Sequence, residues 1–131
     1  MSETAGYAIG RKLGEPFGEV VARVKDELQA EGFGVLTEID VQATLRAKLG
    51  EEIEPYLILG ACNPQLAHRG LRVEPDLGVL LACNVVVRRS EGSTYVAAME
   101  PMSALQQAGN PELEPIAREA RERLERAIER L

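Results

Sequence analysis

Leu77-Gly78-Val79-Leu80-Leu81-Ala82-Cys83-Asn84-Val85-Val86-Val87 is the longest strongly apolar run of the chain, and its reading decides the fold. It is about half the roughly 20 residues a membrane-spanning helix needs, so no membrane-spanning helix is visible. A continuous apolar run bounded by turn residues reads as a strand buried on both faces. That places the centre of the core at Leu77 to Val87. Glu74-Pro75-Asp76 breaks the chain before it, and Ser90-Glu91-Gly92-Ser93 after it reads as a hairpin turn into a second strand, Thr94 to Met99.

Downstream, Pro101 and the cluster Gly109-Asn110-Pro111 bound a short segment, and Asn110 with Pro111 announces the last helix. Leu113, Ile116, Ala117, Ala120, Leu124, Ala127, Ile128 and Leu131 form one apolar stripe on it. Its charged positions mostly pair at four-residue spacing: Glu114 with Arg118, Glu119 with Arg123, and Glu122 with Arg126. Upstream, Tyr56 to Ala61 reads as a strand, and Asn63-Pro64 as the cap and first turn of a helix through Leu71. Asp40 caps a helix over Val41 to Leu49 that Gly50 closes. Phe33, Val35, Thr37 and Ile39 alternate, as on the buried face of a strand. Phe17, Val20, Val21, Val24 and Leu28 recur at helical spacing after Pro16 and before Gly32. Tyr7 to Leu13 reads as the first strand.

About five strands and three or four helices result, without internal repeats and in one domain spanning residues 1–131. Mostly hairpin-compatible strands with long amphipathic helices predict an α+β fold, an antiparallel sheet with helices packed on one face. Apolar residues on the open face would favour a homodimer.

The bulk numbers agree with a folded domain. The 131 residues are 45% hydrophobic and 27% charged, which excludes disordered, collagen-like and disulfide-framework chains. A net charge of −6, with basic residues interleaved among acids, argues against a nucleic-acid partner. Three Tyr, two Phe and no Trp offer no base-stacking platform. The first residues lack a basic segment followed by an apolar stretch, and two cysteines in such a chain point to reduced thiols in a cytoplasm. Richness in Arg, Glu, Leu and Ala would suit a thermophile.

No catalytic constellation is visible, and no cofactor or ligand identity follows. The most specific local pattern is that each cysteine precedes an asparagine: Cys62-Asn63 and Cys83-Asn84. Cys62 would open a helix, where free amides favour thiolate. The sole histidine, His68, lies one turn further on. These residues could form a redox thiol site or bind a soft metal such as Cu(I) or Zn(II), with Met99 and Met102 as thioether contributors. Twenty residues between the cysteines is unlike the short ligand spacing of zinc sites. The plainer reading makes the cysteines small core residues, Asn63 a cap, Asn84 a turn or bulge residue and His68 a helix-surface residue. Glu38 and Asp40, two apart at a strand end, would suit a cation or an acid/base pair, but Asp40 already has a capping role. Gly32-Phe33-Gly34 does not match a phosphate-cradling loop.

Gly32-Phe33-Gly34-Val35-Leu36-Thr37-Glu38-Ile39-Asp40, Leu59-Gly60-Ala61-Cys62-Asn63-Pro64, Ala67-His68 and Cys83-Asn84-Val85-Val86-Val87 together resemble the bacterial and archaeal domain-of-unknown-function family 302. The resemblance implies a compact α+β fold similar to one repeat of the TATA-binding-protein architecture with added helices, commonly homodimeric and with no established activity. It points to Glu38, Asp40, Cys62, Asn63, His68, Cys83 and Asn84 as the positions to inspect. Two functional expectations follow: a homodimeric domain binding a small ligand or soft metal near Cys62, Cys83 and His68, or a thiol-dependent redox enzyme. An interaction protein with buried cysteines is the third.

Overall fold

The computed structural model describes residues 6–131. Its strands are β1 (Ala8–Leu13), β2 (Gly34–Asp40), β3 (Tyr56–Cys62), β4 (Cys83–Ser90) and β5 (Ser93–Met99). Its helices are α1 (Phe17–Ala30), α2 (Val41–Leu49), α3 (Pro64–Val73), α4 (Gly78–Leu81), α5 (Pro101–Gln106) and α6 (Glu114–Glu129). The sheet is antiparallel throughout, in the order β1-β5-β4-β3-β2. This is the expected α+β architecture, with α4 and α5 as additional short helices.

One sheet face carries the core. Val85 and Val87 of β4, Val96 and Ala98 of β5, Leu59 and Ala61 of β3, and Ile9 and Leu13 of β1 are buried there. They meet Val20, Val24 and Leu28 of α1 and the predicted α6 stripe, all of which is buried from Leu113 to Leu131. Arg11 of β1 anchors the end of α6, its Nη1 donating to the carbonyl oxygens of Ile128, Glu129 and Leu131 at 3.3, 2.9 and 2.6 Å. Arg126 and Arg130 both reach Glu31, which follows α1, at 2.9 Å. Arg126 therefore bridges two helices through Glu31; the expected partner within its own helix was Glu122.

Two expectations about burial need correction. Leu77 to Val87 is not one strand. Pro75–Leu77 is a 3-10 turn, α4 takes Gly78–Leu81, and the strand starts only at Cys83. Proline opens the turn with a pre-set φ, and buried Leu77 ties it down. Val79 then points outward, 87% exposed. Nor is β4 buried on both faces: Cys83, Val85 and Val87 are buried whereas Asn84 is exposed and Val86 is half-buried. The two long helices, α1 and α6, both bury the other side of the sheet.

The second correction concerns β2. It is an edge strand, and of Phe33, Val35, Thr37 and Ile39 only Phe33 is buried. A register irregularity between Val35 and Thr37 inserts an extra residue, Leu36, so that the alternation changes phase midway. Leu36 is left 73% exposed. Gly60 of β3 lies under Thr37, whose hydroxyl would collide with any Cβ placed there. A side chain at position 60 would force the Thr37 hydroxyl to move, whereas glycine leaves it in place.

Candidate functional site

Cys62 ends β3 and Cys83 starts β4. The strands are neighbours, with Ala61 opposite Cys83, so residues 21 positions apart in the chain arrive at one end of the sheet. Asn63, next to Cys62, turns the chain into α3: its side-chain oxygen accepts a hydrogen bond from the Leu66 amide at 3.2 Å, while Pro64 takes the first helical turn. Asn63 is buried. This fulfils its capping role and fixes where Cys62 sits.

Both thiols line one small recess of about 30 Å³, closed by Phe33, by Leu80 and Leu81 of α4, and by Met99 at the end of β5. The cysteines are free thiols, Cys62 half-buried and Cys83 buried. Burial pushes the Cys83 thiol up to about 11, and the nearby Cys62 adds to the shift. Loss of solvation penalises the thiolate, so Cys83 is protonated at neutral pH. Met102 lies elsewhere, on a groove of about 480 Å³ between α5 and α6.

The other expected positions separate from this recess. His68 is exposed on α3 and does not line it. Asn84 is on the open sheet face, beside a depression of about 290 Å³ that also touches Tyr7, Met99 and Ser103. Glu38 makes an exposed ion pair with Lys25 at 2.8 Å. Asp40 caps α2, accepting from the Ala43 amide at 2.9 Å. Glu38 and Asp40 thus have separate partners. Among the described residues no group of three or more His, Cys, Asp or Glu side chains is placed to hold a metal ion.

Sequence reasoning missed a feature on the open sheet face. The register aligns Tyr56, Arg88, Tyr95 and Lys12 in one cross-strand row. Arg88 lies 4.5 Å and Lys12 5.9 Å from the centre of the Tyr95 ring. The available signal was strand alternation, but it needed the strand order to become a row.

Together these features define an α+β domain with one covered and one open sheet face, a mostly apolar, cysteine-lined recess and, among the described residues, no assembled acid–base constellation. The chain belongs to the DUF302 family, a domain of unknown function, whose family model matches residues 9–131. It is similar to the crystal structure of an uncharacterized conserved DUF302 protein from Bacillus stearothermophilus, with 31% sequence identity and a TM-score of 0.89 over 96% of this chain and 98% of that one. No curated protein matches the chain. No helix among the described residues is long and apolar enough to cross a membrane.

Proposed function

We propose that this domain is a non-enzymatic binding module whose thiol recess takes one soft monovalent metal ion of the Cu(I) class. The observation that carries the proposal is the convergence of Cys62, Cys83 and Met99 on a recess of about 30 Å³. That volume suits a single atom or ion and is far below the roughly 300 Å³ of the smallest ordinary ligand pockets. Two thiols and a thioether are soft donors that favour Cu(I). Zinc would ask for a fourth nitrogen, oxygen or sulfur ligand, and His68 is exposed and does not line the recess. The buried, protonated Cys83 thiol also weakens the redox-enzyme alternative, because the thiolate is the nucleophile.

Anaerobic titration with Cu(I) against a competing chromophoric chelator tests this. The expected result is one ion per chain, lost in Cys62→Ser and in Cys83→Ser and weakened in Met99→Leu. Because binding must displace the Cys83 proton, apparent affinity should rise at least about tenfold per pH unit below pH 11. Failure of the native chain to compete for Cu(I) at any ratio overturns the proposal.

A second reading concerns assembly and rests on the exposed apolar edge. Leu36, Ile39 and Leu49 are 73%, 51% and 68% exposed on the neighbouring elements β2 and α2. An edge strand has unpaired backbone groups that a second copy can satisfy about a two-fold axis. Homodimerisation through β2 predicts a concentration-dependent mass in sedimentation that Leu36→Glu with Leu49→Glu abolishes. A monomer at all concentrations discards it.

A further inference from the structure

Nine of the fifteen lysines and arginines are ion-paired with carboxylates. Arg11 is held by carbonyl oxygens, and Arg89 by Thr94 and the Glu15 carbonyl. Of the four that remain, Lys48 and Arg72 are exposed on helices, whereas Arg88 and Lys12 both lean on the one ring of Tyr95, at 4.5 and 5.9 Å; none of the four has a carboxylate partner among the described residues. Tyr95 sits on β5, directly opposite Lys12 of β1 on one side and Arg88 of β4 on the other. The two cations are therefore about 10 Å apart at the base of their side chains, two strand spacings.

Alternation puts this row on the sheet face opposite α1 and α6. The next row on the same face is Ile58, Val86 and Ala97, all half-buried and in register across β3, β4 and β5. Ile39 of β2 extends it to the edge. No strand residue whose register places it on this face is an aspartate or glutamate. The nearest acid in sequence, Glu54, is engaged with the Glu91 amide beside the β4–β5 turn. In a chain of net charge −6, two cations without a carboxylate partner among the described residues thus lean on one aromatic ring, with an apolar strip alongside.

We infer that this face is a binding site for an amphiphilic oxyanion: a carboxylate or phosphate head held at the Arg88–Tyr95–Lys12 row by the two cations, with an apolar body lying on Ile58, Val86 and Ala97. An anion here gains charge-assisted hydrogen bonds from cations that no carboxylate among the described residues neutralises. The planar guanidinium, already fixed against Tyr95, loses little freedom on binding. The apolar row supplies area to an attached chain and none to a bare anion, so head and body must be joined. The site is separate from the thiol recess, and failure of either proposal leaves the other standing.

The test is a titration of the full chain with decanoate, decyl phosphate, 1-decanol, acetate and inorganic phosphate, followed by amide and arginine side-chain NMR shifts below the probes' micelle concentrations. Decanoate or decyl phosphate should shift Tyr95, Val86 and Arg88, whichever head is preferred identifying its source. Binding should weaken about tenfold in Arg88→Gln and several-fold in Lys12→Gln, the latter an exposed position where folding is not at stake. Decanol, acetate and inorganic phosphate should each bind at least tenfold more weakly. Equal binding of decanol and decanoate, shifts located away from this row, or unchanged affinity in both variants overturns the inference. So does a concentration-dependent shift of the same residues without any probe, which would make the face a contact between copies.

Discussion

Helices α2 and α6 differ in opposite directions at their ends and on their faces. α2 has complete local signals: Asp40 accepts from the Ala43 amide, and Gly50 closes the helix in the left-handed conformation, φ 68°. It buries none of its residues. α6 has no side-chain cap at its own first position, yet buries Ile116, Ala117, Ala120, Leu124, Ala127 and Ile128. Caps mark where a helix begins and stops; they say nothing about whether it is covered. A nine-residue helix is too short to persist on propensity alone. α2 is held instead by its caps, by the Gln42 side chain on the Ile53 carbonyl at 3.0 Å, and by Arg46 forked onto Glu52.

The sharpest way to break this comparison is to remove the same side chain from each helix. Leu124→Ala should cost about 3 kcal/mol in chemical denaturation, since Leu124 is fully buried and its loss leaves a cavity among α1, α6 and the sheet. Leu49→Ala, at an exposed position, should change stability by less than about 0.5 kcal/mol. Comparable losses would mean that α2 is covered in solution, which is the outcome expected if the edge of β2 and α2 is buried between two copies.

The same contrast explains what could be read from the chain beforehand. Periodicity found both long helices, and alternation, apolar runs and turn residues put a strand in each of the five right regions, because these are local patterns. Burial failed at β2 and at Leu77 to Val87, because apolar content does not say how many faces a neighbour will cover. Thr37 and Ile39 alternate as a buried face would, but the extra residue Leu36 and the edge position put them outside. Val79 belongs to the most apolar run of the chain and is nearly bare, because a proline-initiated turn takes that part of the run out of the sheet.

The candidate site divides in a similar way. Asn63 and Asp40 were legible as caps because the helix that needs them follows immediately. The closeness of Cys62 and Cys83 depends on β3 pairing with β4, a tertiary fact that no spacing rule supplies. His68 looked near because it is six residues from Cys62, whereas α3 directs it to solvent. The Arg88–Tyr95–Lys12 row joins β4, β5 and β1, the last from the opposite end of the chain, so only the strand order reveals it.

The smaller effect to test is on the two caps, which are chemically alike and differently placed. Asn63→Ala removes the acceptor for the Leu66 amide within the buried wall of the thiol recess, and should lower global stability by about 1–2 kcal/mol. Asp40→Ala removes an equivalent bond at an exposed helix, where water can replace it. The expected result is a global change of about 0.5 kcal/mol or less, with faster amide exchange confined to Ala43 and its neighbours in α2. If Asp40→Ala instead lowered the protection of β3 and β4 as well, α2 would unfold together with the sheet. The division between a locally held helix and a packed one would then collapse into a single cooperative unit.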